Sequence, residues 1–448
     1  MADSVQSPVD VGRIVDLEAL PEWLEQQRWY ASKSRSITGI EVAESATLRD
    51  DPMLLLALVQ ARFATGTHEL YQLLLAPGKF DALIEPTEAA ELVAGFERSE
   101  TIETAQGRFS FERANGLGEL RPGAPGRPIG AEQSNTSIVY DERLVVKVFR
   151  KLEPGINPEL EMLRFLSEHG FAHIAPLQGW YEYGGQALSA TLGVAQTYLP
   201  NAVDGWDLAL EEIVSRPDVF LDRLGGLGEV TAEMHNMLAS DAGDPAFSPE
   251  EPSQESLSLL TATVDEDIER VFLRLPDDER VADIAGRAQD VRERLAARAQ
   301  AGVGGRVIRT HGDYHLGQTL ATRDRGWVII DFEGEPARPL HERRQKRSAL
   351  RDVASMLRSL AYATSAVEIM RGQTAPEDFE PRARERFLES YFERVDATLL
   401  PGGEAQVRSL LSVFELEKAI YELQYELDNR PDWVPIPVAG IRRLLEEQ

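Results

Sequence analysis

The 448-residue chain contains no cysteine, which excludes disulfide bonds and thiolate metal sites. Long apolar runs are also lacking: the longest, near residues 53–61, is far shorter than the roughly 20 residues of a membrane-spanning helix. The first residues show no apolar stretch of the kind found in secretory signals. We therefore expect a cytoplasmic protein with no membrane span.

Basic residues are few relative to acidic ones, with 47 Lys and Arg against 75 Asp and Glu, a net charge of −28. This excess disfavours binding to nucleic acid or to an anionic membrane through a broad basic surface. An anionic substrate such as ATP would need a local basic or metal-loaded site. The length allows two or three structural units, each with a core.

The most informative stretch is residues 306–335, RVIRTHGDYHLGQTLATRDRGWVIIDFEGE. It contains the motif HGD at 311–313, then Gln318, and the motif DFE at 331–333. Residues 326–330 are typical of a short buried strand, so Asp331 would be held at a strand end. Two acidic centres are thus predicted on loops that border strands.

Phosphoryl transfer from a nucleotide requires such a pair of acidic centres. One acidic residue orients and deprotonates the accepting hydroxyl, and another holds Mg²⁺ against the triphosphate with help from an amide oxygen. Asp313 fits the first role, and Asp331 with Gln318 fits the second, because Mg²⁺ prefers oxygen ligands. The spacing resembles the HRDxxxxN and DFG motifs of protein kinases. A His-Gly turn with solvated acids is the structural alternative.

A polar loop followed by a hairpin is predicted upstream. Ser, Asn and Thr side chains with free backbone N–H groups can cradle phosphates; the candidates here are Gln133, Ser134, Asn135, Thr136 and Ser137. Residues 138–149 are typical of a β-hairpin turning at 141–142. Lys147 lies among apolar neighbours and needs an anion there, so we predict that it binds nucleotide phosphates. An edge-strand lysine facing water is the alternative.

A helix over 157–169 should supply the acidic partner of Lys147, with Asn157 as N-cap. Glu161 is the preferred partner and Glu159 its rival. Gln196 and Tyr198 are predicted at a hinge that contacts the adenine edge.

The remaining patterns suggest three parts. Residues 1–95 form an α+β cap, with a helix over 17–30, strands over 37–47, 53–63 and 68–75, and a helix over 80–96. Residues 96–200 form a β-rich small lobe, and residues 201–448 a mainly helical C-lobe with the catalytic loop and the acceptor site. Trp23, Trp29 and Tyr30 are interpreted as core residues and His235 as a packing residue. Asp352, near the start of a helix over 348–363, is a candidate anchor for the catalytic loop.

Two further segments carry candidate functional residues. Residues 421–437, YELQYELDNRPDWVPIP, combine aromatic rings with carboxylates, amides and an arginine, as sugar-binding sites do. The candidates are Tyr421, Glu426, Arg430, Asp432 and Trp433; packing at a helix end is the alternative. The basic segment 337–348 would support the catalytic loop or the phosphate site, or form a solvated loop.

At this point a resemblance to a known family becomes specific. The segments WLEQQRWYASKSR, AEQSNTSIVYDERLVVKVFRKLEPGINPELEMLRFL, HGDYHLGQTL, DFEGEPARPLHERR and YELDNRPDWVPIP resemble maltokinases, including those fused to trehalose synthases. The resemblance implies an α+β, bilobal, protein-kinase-like fold of the aminoglycoside phosphotransferase type, with an N-terminal cap. It also implies transfer of the ATP γ-phosphate to the anomeric hydroxyl of maltose, for glycogen or α-glucan synthesis.

The same resemblance implies roles for individual residues. By motif match, Asp313 is the base, Gln318 and Asp331 are metal ligands, and Glu333 is a further contact to metal or substrate. His311 and His315 are candidate acceptor contacts. The chain is expected to be a monomer or dimer, and association with a trehalose synthase is a further expectation.

One departure bears on the acceptor: Tyr314 stands where maltokinases commonly have Leu. Related proteins resemble glucosamine kinases, and the acids Glu426, Asp428 and Asp432 would suit an amino sugar. Phosphorylation of glucosamine or of an aminoglycoside is therefore the alternative reaction. A non-catalytic kinase-like module that regulates trehalose synthase is the alternative of a different class.

Overall fold

The computed structural model describes residues 5–114, 121, 123–130, 134–185, 188–299, 304–336 and 338–446. The chain divides into two compact units. Unit 1 comprises residues 1–168 and 175–201, and unit 2 comprises residues 169–174 and 202–448. In the described part of the chain, no helix has the length and apolar character needed to cross a bilayer.

Unit 1 begins with a small sheet that matches the strands predicted for the cap. Helix α1 (Leu20–Glu25) precedes strands β1 (Ile37–Arg49), β2 (Leu54–Phe63) and β3 (His68–Leu75). The predicted helix over 17–30 is shorter in the structure, because Trp29 and Tyr30 leave it and pack against Tyr71, with ring centroids 5.9 and 5.6 Å away. Both rings are buried, which confirms their interpretation as core residues.

The second sheet of unit 1 has seven strands in the order β4-β5-β10-β11-β8-β7-β6. In chain order, residues 86–197 contain α2 (Pro86–Arg98), β4 (Thr101–Glu103), β5 (Gly107–Arg113), β6 (Gly126–Pro128), β7 (Asn135–Tyr140), β8 (Leu144–Phe149), β9 (Lys151–Leu152), α3 (Pro158–Glu168), β10 (Leu177–Gly185) and β11 (Ser189–Thr197). Strand β9 belongs to the first sheet, where it pairs with β3. The predicted boundary at residue 95 falls inside α2.

Helix α2 begins six residues later than predicted from the sequence. The Asp81 carboxylate accepts the backbone N–H groups of Leu74 and Leu83, at 3.4 and 3.2 Å, and this holds residues 81–83 in a turn. Pro86 then occupies the first helical turn, where a missing N–H costs nothing.

Unit 2 combines one small sheet with nine helices among its described residues. The sheet has the order β12-β13-β14. The elements are β12 (Val203–Asp204), α4 (Gly205–Ser215), α5 (Pro217–Leu238), α6 (Gln254–Phe272), α7 (Ala288–Ala299), β13 (Thr319–Thr322), β14 (Gly326–Ile329), α8 (Leu340–Arg343), α9 (Leu350–Arg371), α10 (Phe379–Arg394), α11 (Glu404–Asn429) and α12 (Pro435–Glu446). Buried apolar residues of α6, α7, α11 and α12 form one core cluster. Helices α5 and α9, with the hairpin β13–β14, surround the acidic motifs.

Candidate active site

The catalytic loop of unit 2 runs from Ile308 to Gln318 and ends in a short 3₁₀ turn. Gly312 has φ +85°, a left-handed conformation that side-chain-bearing residues rarely adopt. A Cβ atom there would also lie 3.4 Å from the Cα of Gly334. The glycine of the HGD motif is therefore required by the loop itself.

A buried carboxylate on α9 holds this loop in place. The Asp352 side chain accepts the backbone N–H of His311 at 2.8 Å and of Gly312 at 3.0 Å. His235 of α5 lies 3.2 Å from the same carboxylate, and its other ring nitrogen lies 2.9 Å from the hydroxyl of Tyr391. These bonds confirm Asp352 as the loop anchor and His235 as a packing residue.

The charge of Asp352 is stabilised despite its complete burial. Desolvation alone would raise its pKa. The hydrogen bond from His235 and the backbone hydrogen bond from Gly312 lower it below the usual carboxyl range. The loop is thus held by an ionised carboxylate.

Asp313 has a cationic neighbour that the sequence analysis missed. Its Oδ1 lies 3.6 Å from the Nζ of Lys418 on α11, and its Oδ2 lies 3.9 Å from the Nε2 of His315. Burial would lower the pKa of Lys418, but Asp313 and Glu422 raise it above its usual value, so the ammonium is charged. The sequence signal was a lone lysine among the carboxylates of an otherwise apolar and acidic helix segment.

The two histidines of the loop have structural contacts. His311 is buried, and its Nε2 lies 2.9 Å from the carbonyl of Ile330, while the N–H of Asp313 donates to its Nδ1 at 3.4 Å. The expected acceptor contact by His311 is therefore corrected to loop support, since both ring nitrogens are engaged. The Nδ1 of His315 accepts the N–H of Gly317 at 3.1 Å and caps the 3₁₀ turn.

Tyr314, the residue that departs from the family pattern, is fully buried. Its hydroxyl lies 2.8 Å from the hydroxyl of Thr231 on α5. A polar tip in the core requires such a partner, so Tyr314 fixes the loop to α5 where an apolar residue would only pack.

The candidate metal ligands of unit 2 lie side by side. The amide nitrogen of Gln318 donates to Oδ2 of Asp331 at 3.1 Å. Carboxylate oxygens of Asp331 and Glu333 lie within 4.8 Å of each other. Asp331 has φ +64°, an unusual conformation that here follows directly after β14 and is typical of functional sites. An oxygen-only set of this kind fits Mg²⁺ and not a soft metal.

The candidate sugar-binding residues of segment 421–437, here called the C-terminal patch, come together only in part. Glu426 is buried and accepts hydrogen bonds from Arg430 at 2.9 and 2.6 Å and from the Tyr362 hydroxyl at 3.2 Å. Trp433 stacks on Tyr362, with centroids 6.2 Å apart, and the Arg430 guanidinium lies 4.6 Å from its ring. Glu426 therefore acts first as the support of an arginine and a tyrosine.

The other two candidates of the patch, Tyr421 and Asp432, are exposed. Tyr421 lies next to Lys418, whose Nζ is 5.3 Å from its ring. Glu422, which the sequence analysis did not select, accepts two hydrogen bonds from the buried Arg358, at 2.9 and 2.7 Å.

In unit 1, the predicted hairpin and lysine are present. Strands β7 and β8 pair as predicted, and Asp141 and Glu142 both have positive φ in the turn between them. The Nζ of Lys147 lies 2.7 Å from Oε2 of Glu159 on α3, and both side chains are buried. The preference for Glu161 is corrected to Glu159, whose backbone N–H is held by the N-cap Asn157.

The predicted phosphate loop is shorter than expected. Asn135, Thr136 and Ser137 belong to strand β7, and Thr136 accepts a hydrogen bond from Arg150 at 2.8 Å. Ser134 precedes the strand and is exposed, whereas Gln133 lies outside the described residues. Strand pairing already begins at Asn135, which lies opposite Phe149, so the strand extends further than the hairpin prediction.

The predicted hinge residues are placed at the end of β11. The Gln196 side chain is buried and donates to the carbonyl of Ala175 at 3.1 Å, which corrects its predicted nucleotide contact to a bond within unit 1. The backbone N–H of Tyr198 donates to the backbone carbonyl of Arg143 at 2.8 Å.

Comparison with known proteins agrees with this geometry. Residues 125–334 match the model of the phosphotransferase enzyme family, and residues 23–101 match that of the maltokinase N-terminal cap domain. A glucosamine kinase from Streptacidiphilus jiangxiensis is 28% identical over 337 residues, covering 72% of this chain and 74% of the relative. One from Mycolicibacterium smegmatis is 28% identical over 335 residues, covering 72% of this chain and 80% of the relative.

A solved structure of a glucosamine kinase in complex with glucosamine, ADP and inorganic phosphate has the same fold. It aligns with a TM-score of 0.73 and 22% sequence identity, covering 98% of this chain and 100% of that one. This likeness confirms the expected α+β, kinase-like fold with an N-terminal cap.

Proposed function

We propose that this protein is a Mg²⁺- and ATP-dependent sugar kinase with maltose as its acceptor, because residues 125–334 match the model of the phosphotransferase enzyme family and residues 23–101 match that of the maltokinase N-terminal cap domain. The observation that carries the proposal is Asp313, a carboxylate that is 23% exposed on a loop held by Asp352, with the Lys418 ammonium 3.6 Å away. Product formation would give maltose 1-phosphate and ADP.

The proposed chemistry assigns one task to each group. Asp313 takes the proton of the acceptor hydroxyl. The hydroxyl oxygen forms a bond to the γ-phosphorus while the bond from that phosphorus to the leaving oxygen of ADP breaks. Gln318, Asp331 and Glu333 would hold Mg²⁺, which neutralises phosphate charge when bound. Lys147, oriented by Glu159, binds the nucleotide phosphates.

The state of the acids on α11 favours a neutral sugar over an amino sugar. Glu422 is paired with Arg358, and Glu426 with Arg430, so these carboxylates are already compensated. An ammonium group on the acceptor would gain little from them.

Glucosamine is the second candidate acceptor, since the two related proteins are glucosamine kinases. A panel decides between the two: ADP release with Mg·ATP and maltose, glucose, glucosamine, trehalose or an aminoglycoside. Selective turnover of maltose supports the proposal. Turnover of glucosamine without maltose rejects maltose and keeps the kinase assignment, whereas ATP binding with no turnover of any sugar favours a regulatory module.

Lys418→Met should reduce kcat by roughly 10- to 100-fold and change KM for ATP less than about twofold, because Lys418 orients the base. Lys418→Arg should recover part of the activity. Steady-state kinetics with the preferred sugar provide the measurement, and Lys33→Met on the exposed surface of unit 1 is the control. Unchanged kcat in Lys418→Met would remove this residue from the site.

A further inference from the structure

A small cavity in unit 2 adjoins the catalytic loop. It is lined by the backbone segments around Gly312 and Gly334 and by two sets of charged side chains. The basic set is Arg338, Arg343, Arg347, Arg351 and Lys418, and the acidic set is Asp267, Glu335, Glu342, Asp352 and Glu417. Its volume is about 110 Å³. At ~30 Å³ per water molecule, this is room for roughly three or four waters, or for one small oxyanion.

Carboxylates compensate two of these arginines directly. Arg338 forms ion pairs with Glu335 at 2.6 Å and with Glu342 at 3.5 Å. Arg351 pairs with Glu417. These ion pairs hold the guanidinium groups of Arg338 and Arg351 in fixed positions at the side of the cavity.

Arg347 lacks such compensation. Its guanidinium donates to the carboxamide of Gln345 at 3.3 Å and forms no ion pair with a carboxylate in the described part of the chain. Burial, and then the like charges of Arg351 and Arg338, lower the pKa of Arg347 to about 10, and Glu417 and Glu342 offset this only in part. A guanidinium with five donors therefore faces a cavity with most of its donors unused.

The backbone of Arg347 is hydrogen-bonded to Ile308, the first residue of the catalytic loop. Its N–H donates to the carbonyl of Ile308 at 2.7 Å, and its own carbonyl accepts the N–H of Ile308 at 3.0 Å. Asp352, which holds His311 and Gly312, follows on the next helix. A ligand bound to Arg347 would thus stabilise the segment that contacts the catalytic loop, through Arg347 at Ile308 and through Asp352 at His311 and Gly312.

We propose that this cavity binds a small oxyanion on the guanidinium of Arg347, with the chemistry of inorganic phosphate or of a phosphoryl group on a small metabolite. The planar fork of arginine suits two oxygens of such an anion. Arg338 and Arg351 add long-range attraction. The bound anion stabilises the catalytic loop, and this inference does not depend on the proposed acceptor.

Calorimetric titration of inorganic phosphate into the intact protein tests the site, with chloride used to keep the ionic strength constant. Arg347→Gln should weaken phosphate binding by about tenfold or more, since a bidentate, charge-assisted contact is lost. Arg347→Lys keeps the charge, and its affinity for phosphate should lie between those of the wild type and Arg347→Gln. Lys147→Met should retain the binding, because that lysine lies in unit 1, and Arg371→Gln is the matched surface control.

Hydrogen exchange of residues 308–316 supplies the second readout. It should slow on phosphate addition in the wild type and not in Arg347→Gln. Competition by a sugar phosphate identifies a phosphoryl group as an accepted ligand, and its failure restricts the site to the free ion. No saturable phosphate binding, equal affinity in Arg347→Gln, or loss only in Lys147→Met would overturn the proposal.

Discussion

Replacing Asp313 by Asn should leave a folded protein that binds ATP but transfers phosphoryl groups roughly 100- to 10,000-fold more slowly, the range expected for loss of a general base. The change removes the proton acceptor while keeping the shape of the side chain. Its position next to Lys418, at 3.6 Å, makes it the one acid of the HGD loop able to serve this role.

ADP release with saturating sugar gives the rate, and calorimetric titration with ATP verifies that the nucleotide still binds. The matched control is Asp324→Asn, an exposed carboxylate in the turn between β13 and β14. Full turnover in Asp313→Asn would show that the base lies elsewhere.

The second large effect is expected on stability. Asp352→Ala removes the acceptor for the N–H groups of His311 and Gly312 and the partner of His235. Leaving such buried groups unpaired costs ~1–3 kcal/mol each, so we expect a loss of about 3 kcal/mol in the free energy of unfolding. Activity should fall as well, because the loop that carries Asp313 loses its support.

Urea unfolding measures this change, and Asp222→Ala on the exposed side of α5 is the control. The pH dependence has a defined sign. Because the folded state lowers the pKa of Asp352, its ionisation stabilises the fold above the unfolded value of about 3.9 and the contribution is lost as the pH falls through the folded pKa. An Asp352→Asn variant that unfolds with the same acid dependence as the wild type would contradict this account.

The sequence predicted the parts of the site that follow from local pattern. HGD, the glutamine after it and DFE lie on consecutive loops and a strand, so their spacing alone placed Asp313, Gln318 and Asp331. The hairpin around Lys147 also followed from two apolar segments on either side of a two-residue turn. Such signals depend on neighbours along the chain.

The predictions that failed depended on the rotation of a helix about its axis and on contacts between residues that are far apart in sequence. Glu159 and Glu161 lie on one helix, about 200° apart at 3.6 residues per turn, and only the rotation of α3 decides which faces Lys147. Lys418 lies on a helix far along the chain from Asp313, so no spacing rule connects them. His311 was predicted as a ligand contact from the family resemblance and Gln196 from its position at the predicted hinge, whereas the structure buries both in bonds to backbone carbonyls.

The central claim is transfer of a phosphoryl group to a sugar, and phosphorus NMR of the intact protein with Mg·ATP and maltose tests it most directly. The account predicts a new sugar phosphate resonance that grows in step with ADP and is absent without maltose. ADP and inorganic phosphate without a sugar phosphate, with every sugar of the panel, would contradict it.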